Sequence, residues 1–117
     1  MKENFKKKKL KNGMTILFEK RDLPLVSVAF ATKQGGINET AEEKGISHLI
    51  EHMLYKGTPT RNSKQIADQI EKKGGELNGY TSETHTAFYC KMPSKELNTA
   101  LEVLSDVVKN PLFDEKE

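Results

Sequence analysis

The stretch Gly45-Ile46-Ser47-His48-Leu49-Ile50-Glu51-His52-Met53-Leu54-Tyr55-Lys56-Gly57-Thr58 decides how the rest of the chain is read. At about 100° per residue, Ile46, Leu49, Ile50, Met53 and Leu54 fall on one helical face, with His48, Glu51 and His52 on the opposite one. The expected helix runs over roughly residues 42–55 and ends at Gly57-Thr58-Pro59, since Gly and Pro punctuate strongly. Two imidazoles four positions apart stand about one turn from each other and can reach a single metal ion. Neutral imidazole is the commonest protein ligand for zinc. Glu51, one residue before the second His, is placed to take a proton from a metal-bound water without being a ligand. Two His at this spacing can also be surface residues, and a Glu beside them ordinary helix solvation. Chance assembly of this pattern from three His has a probability of roughly one per cent or less. An apolar back and a His-Glu-His front suit the metal-bearing wall of a cleft, and the metal reading is preferred.

Upstream, Lys6 to Lys11, Asn12-Gly13 and Met14-Thr15-Ile16-Leu17-Phe18 read as a β-hairpin with a type I′ turn. The run Lys6-Lys7-Lys8-Lys9 reads as a solvated edge strand rather than a polyanion-binding patch, because lysines discourage edge-to-edge pairing. Arg21-Asp22-Leu23-Pro24 is a turn. Leu25-Val26-Ser27-Val28-Ala29-Phe30-Ala31-Thr32 is nearly continuous in apolar and small residues, as expected of a central strand covered on both faces. Gly35-Gly36 breaks it, and a polar loop through Asn38, Glu39 and Thr40 leads to the His-bearing helix.

Downstream, Ser63 is the expected cap of a second helix with Ile66, Ala67 and Ile70 buried and Gly74-Gly75 as its stop. Two strands follow, Glu76 to Thr81 and Thr84 to Met92, joined at Ser82-Glu83. Phe88, Cys90 and Met92 share one face of the second, which makes Cys90 a small core residue rather than a nucleophile. His85 sits among threonines and reads as a strand-surface residue. Ser94 is the expected cap of a third helix carrying Leu97, Ala100, Leu101, Leu104, Val107 and Val108, stopped by Asn110-Pro111. The order β-β-β, α-α, β-β, α predicts an α+β fold, a mixed and mostly antiparallel sheet with helices packed on one side.

The bulk numbers agree with one continuous piece of domain: 117 residues, 35% hydrophobic and 31% charged. A net charge of +2 gives no case for nucleic acid as a partner. No apolar run is long enough to span a bilayer, so no membrane partner is expected. The single cysteine, Cys90, rules out an internal disulfide and fits a reducing compartment. Met1-Lys2-Glu3-Asn4-Phe5 leads into lysines with no apolar core of a secretory signal, and the start is not the Arg- and Ser-rich, acid-poor type of an organellar presequence. The expected location is cytoplasmic.

With these residues in place, the chain resembles the pitrilysin/insulinase family of zinc metallopeptidases, which carries the inverted H-x-x-E-H order. The resemblance rests on Leu10-Lys11-Asn12-Gly13-Met14, on the His-bearing stretch quoted above, on Gly74-Gly75-Glu76-Leu77-Asn78-Gly79-Tyr80-Thr81 and on Asn110-Pro111-Leu112-Phe113. It implies a zinc-dependent endopeptidase with His48 and His52 as zinc ligands and Glu51 as the general base. It implies that Asn78, Gly79, Tyr80 and Thr81 bind the substrate peptide as an added β-strand through main-chain hydrogen bonds, with Tyr80 flanking a substrate side chain. Gly79 stands where the family usually has Ala, which is expected to loosen the strand slightly.

Catalytic zinc sites generally use three protein ligands. The resemblance places the third, a Glu, roughly seventy to eighty residues beyond the second His, past residue 117, and assigns neither Glu115 nor Glu117 to the role. It implies that residues 1–117 are the N-terminal part of one α+β peptidase domain, cut before the third ligand, and inactive by themselves if nothing completes the site. The expected partners are a peptide or protein substrate and the remainder of the peptidase, or another chain, to complete the site. The alternative is a non-catalytic binding or subunit-like module on the same fold.

Overall fold

In the computed structural model, which describes residues 4–116, the elements follow the order β1 (Phe5–Lys9), β2 (Thr15–Glu19), β3 (Leu25–Thr32), α1 (Ile46–Leu54), α2 (Ser63–Glu71), β4 (Glu76–Thr81), β5 (Thr86–Pro93) and α3 (Leu97–Lys109). Single 3-10 turns at Gly36–Asn38 and Ser94–Glu96 introduce the loop before α1 and the start of α3. The fold is α+β, and every strand pair is antiparallel: β1 with β2 in one sheet, and β3-β5-β4 in the other.

The hairpin forms where Asn12-Gly13 predicts it, with a different turn. Leu10 N–H donates to Met14 O at 2.7 Å and Gly13 N–H to Leu10 O at 3.0 Å, and among residues 11–13 only Gly13 has a positive φ, 91°. A three-residue loop of this kind ends a type I turn with a left-handed residue, whereas type I′ needs two. The lysine strand β1 is exposed along its whole length.

The central strand is β5 rather than β3. Thr86, Ala87, Phe88, Cys90 and Met92 are buried, while β3 lies at the sheet edge with only Val26, Val28 and Phe30 half-buried. Register explains the alternation. Val26 faces Met92, Val28 faces Cys90 and Phe30 faces Phe88, so one face of β3 joins the core and Ser27, Ala29 and Ala31 on the other stay exposed. Leu54 of α1, Ile66 and Ile70 of α2, and Ala100, Val103, Leu104 and Val107 of α3 close over that face of the sheet. Val103 joins the buried stripe of α3 in place of Leu97 and Leu101, which are exposed.

Three helix starts differ from those the sequence predicts. Gly45, at φ 90°, precedes Ile46, and that left-handed residue stops α1 from reaching back to residue 42. Asn62 rather than Ser63 caps α2, its side chain accepting from Gln65 N–H at 2.8 Å while the Gln65 side chain accepts from Asn62 N–H at 2.9 Å. Ser94 begins the 3-10 turn and makes no side-chain cap. The β4–β5 turn takes residues 82–85, because Ser82 Oγ accepts from the N–H groups of Thr84 and His85 and Ser82 N–H donates to His85 O. Among the described residues no helix is long and apolar enough to cross a membrane.

Candidate metal centre

Helix α1 is turned the other way from its amphipathic pattern. Its buried positions are Ser47, Glu51 and Leu54, while Ile46, Leu49 and Ile50 are exposed and Met53 is half-buried. The cause is the strand it lies on: the Glu51 carboxylate accepts from Thr81 Oγ1 of β4 at 3.3 Å and is only 7% exposed. A hydrogen-bonded carboxylate can occupy a buried position that the hydrophobic pattern assigns to water.

His48 and His52 flank Glu51 at the solvent boundary, both exposed. Their Nε2 atoms lie 2.9 Å apart, one imidazole N–H donating to the other, with the rings edge-to-face and centroids 4.4 Å apart. Glu51 Oε2 is 4.0 Å from His48 Nε2, and the candidate ligand atoms of all three residues lie within 4.8 Å of one another. Among the described residues this is the only such group of three His, Cys, Asp or Glu side chains. The donor set fits zinc: a tetrahedral ion holds two imidazole nitrogens roughly 3.3 Å apart, a few tenths of an ångström more than the pair shows. Glu115 lies in the tail after α3 and does not join the group, and Glu117 lies outside the described residues.

Both ends of α1 are tied down. At the N-terminus, the Glu39 carboxylate accepts from Gly45 N–H at 2.8 Å and Ser47 N–H at 2.9 Å, and these backbone bonds hold its pKa below the usual carboxylate range. The loop carrying Glu39 is fastened to the β4–β5 turn, with Gly36 and Ile37 N–H donating to Ser82 O and Glu83 O. Beyond the C-terminus, Thr58, Thr60 and Arg61 all donate to Asp106 of α3, at 2.7, 3.2 and 2.8 Å. Arg61 also reaches Glu102 at 2.6 Å and Gln69 at 2.8 Å, and Asn110 donates to Asp106 at 2.9 Å. Burial alone would raise the Asp106 pKa, but the donors from Asn110, Thr58, Arg61 and Thr60 outweigh it and hold it down at about 2.

The predicted substrate residues divide between the two faces of β4. Gly79 and Thr81 turn towards α1, while Asn78 and Tyr80 point to the other face and are exposed. β4 pairs only with β5, which leaves its outer edge without a strand partner among the described residues. His85 lies in the turn, half-buried, and is held by Tyr80 Oη at 2.9 Å, Ser82 Oγ at 3.0 Å and Thr84 Oγ1 at 3.1 Å, apart from His48 and His52. Sequence reasoning missed Glu39 and Tyr55. An acid ahead of a helix start is an N-terminal signal that points to the first. Tyr55, one residue past α1, has no comparable signal: its ring lies edge-to-face on Phe88, 5.9 Å between centroids, and its hydroxyl is buried without a hydrogen-bond partner among the described residues.

The family model of insulinase, peptidase family M16, matches residues 15–117. The chain belongs to that family. A Rickettsia felis protein described as an uncharacterized zinc protease is 43% identical over 118 residues, spanning all of this chain and 29% of the relative. The Bacillus subtilis zinc protease YmxG is 37% identical over 91% of this chain and 26% of its own length. The bovine mitochondrial-processing peptidase subunit beta is 35% identical over 92% of this chain and 22% of its own. Among solved structures, a protease from Helicobacter pylori superposes with a TM-score of 0.91 at 25% identity, covering 97% of this chain and 27% of that one. The chain thus spans under a third of the length of these relatives.

Proposed function

We propose that this chain carries the first two ligands and the general base of a zinc-dependent endopeptidase, as the N-terminal part of a single α+β peptidase domain. The observation that carries the reading is the convergence of His48 Nε2 and His52 Nε2, 2.9 Å apart, beside the buried carboxylate of Glu51. His48 and His52 hold the metal. Bound zinc supplies Lewis acidity, which brings the pKa of water from about 16 towards 7 and polarises a carbonyl. Glu51 receives the proton, and Thr81 fixes which way its carboxylate points. A peptide lies along the open edge of β4 through main-chain hydrogen bonds, a mode tolerant of side-chain sequence, with Tyr80 beside it. The third ligand comes from the remainder of the peptidase or from another chain, which also covers Ile46, Leu49 and Ile50. The single buried thiol of Cys90 supports a cytoplasmic setting.

Two measurements test this. Zinc titration of the purified protein at neutral pH should show near-stoichiometric binding that is lost in His52→Ala; no binding by the parent protein removes the claim that this chain forms a metal site. Peptide cleavage in the completed enzyme should fall by roughly 10²–10⁴ in Glu51→Gln. Equal rates in both proteins remove Glu51 as the base. Stoichiometric zinc without any cleavage favours the non-catalytic, subunit-like module.

A further inference from the structure

Gly79 and Tyr55 form a fitted pair. A Cβ built on Gly79 would overlap the Tyr55 hydroxyl oxygen, and its next neighbours are Ala87 O at 3.0 Å and Phe88 Cδ1 at 3.2 Å. The phenol therefore fills the notch left by the missing side chain, and it does so as a buried hydroxyl without a partner among the described residues. An orphaned hydroxyl is costly, and Phe would fill the ring's place on Phe88 without it. Burial first, then the negative charge of Glu51 and the neighbouring Tyr89, push the Tyr55 pKa upward, so the group stays neutral.

The position of the pair gives it a use. Tyr55 lies one helical turn beyond Glu51, a rise of roughly 6 Å. Gly79 lies two strand residues before Thr81, roughly 6.7 Å along β4. The two spacings match, so α1 and β4 meet at two points, Glu51 with Thr81 and Tyr55 with Gly79, running in opposite directions. Two points define a register where one defines only a pivot. We propose that Tyr55 is a positioning residue: its hydroxyl, seated over Gly79, sets the spacing and register of α1 against β4 and so holds Thr81 on the carboxylate of Glu51. The function it serves rests on the peptidase reading. The expected loosening of the strand by Gly79 is thereby replaced by a closer fit.

A four-protein cycle of parent, Gly79→Ala, Tyr55→Phe and the double variant tests the proposal. Urea denaturation should show Gly79→Ala losing roughly tenfold or more in the folded-to-unfolded ratio, the usual range for overpacking. Tyr55→Phe alone should be near neutral in stability, but it empties the notch over Gly79 and should shift the Thr81 methyl resonance; combined with Gly79→Ala, whose methyl refills the notch, it should restore most of the loss. The Thr81 methyl NMR resonance should shift in Gly79→Ala and return in the double variant. Zinc affinity should stay constant throughout, because both ligands lie on α1. In the completed enzyme kcat should fall in Gly79→Ala and recover in the double variant. Tolerance of Gly79→Ala, failure of Tyr55→Phe to rescue it, or an unmoved Thr81 resonance overturns the proposal. Absence of peptide cleavage in the parent counts against the peptidase reading alone, and the stability cycle and the Thr81 signal still decide this one.

Discussion

Replacing Asp106 by Asn should make the protein's stability less sensitive to acid, by an amount the structure sets. The carboxylate lies at the centre of four donors, from Thr58, Thr60, Arg61 and Asn110, with its side chain 13% exposed. Its pKa falls from the ordinary 3.8 to about 2. A depressed carboxylate pKa stabilises the folded state above the unfolded value, and that stabilisation disappears as pH falls through the folded one. At about 1.4 kcal/mol per unit, the contribution at neutral pH is about 2 kcal/mol. Asp106→Asn removes it and leaves the Arg61 guanidinium, itself 12% exposed, with Glu102 as its remaining ion-pair partner, so the total cost reaches about 2–4 kcal/mol. Urea denaturation of both proteins at pH 7, 5, 4 and 3 gives the difference directly. That difference should be largest at pH 7, hold to about pH 5 and shrink between pH 4 and 2. Taking a difference cancels other carboxylates with lowered pKa, including Glu39, Asp68 and Glu96. A difference independent of pH, or none at pH 7, would refute the reasoning.

Glu39→Ala should uncap α1, seen as faster amide hydrogen exchange at Ser47 and Leu49 with little change in α3; unchanged exchange would remove Glu39 as the cap. Because its pKa is lowered, the parent's cap should weaken as pH falls below the ordinary carboxylate value. Leu49→Glu, at a residue 59% exposed, should change the stability of the purified 117-residue chain by no more than about 0.5 kcal/mol, whereas a loss of several kcal/mol would mean that the apolar side of α1 is its core side. The Cys90 thiol, fully buried and with its pKa raised by burial, should react with a thiol reagent only at the rate of unfolding, and fast labelling of the folded protein would contradict its placement.

The grouping of the three candidate metal-site residues was legible because its signal is local. His48, Glu51 and His52 fall within one turn and a half of helix, and spacing alone brings them together. β4 was legible residue for residue, since Gly75 stops the preceding turn and Ser82 opens the next. The orientation of α1 was misread because amphipathic reasoning sends charge to water, while Glu51 is buried against a threonine thirty positions away. β3 was misread by its overall apolarity. Taken alternately, its residues separate Val26, Val28 and Phe30 from Ser27, Ala29 and Ala31, the pattern of a strand with one covered face. Arg61 and Asp106, 45 residues apart, leave no mark in the sequence that pairs them.

The two anchors of α1 also set the order in which the site can be assembled. Nine residues are too few for a helix to persist alone in water. One end waits for the turn at residues 82–85, the other for Asp106 of α3, so the helix becomes firm only after nearly all of the chain through residue 110 has folded. On the proposed metal role of His48 and His52, capture of the ion would follow folding instead of driving it, in contrast to small zinc domains whose folding free energy is the binding free energy of the ion.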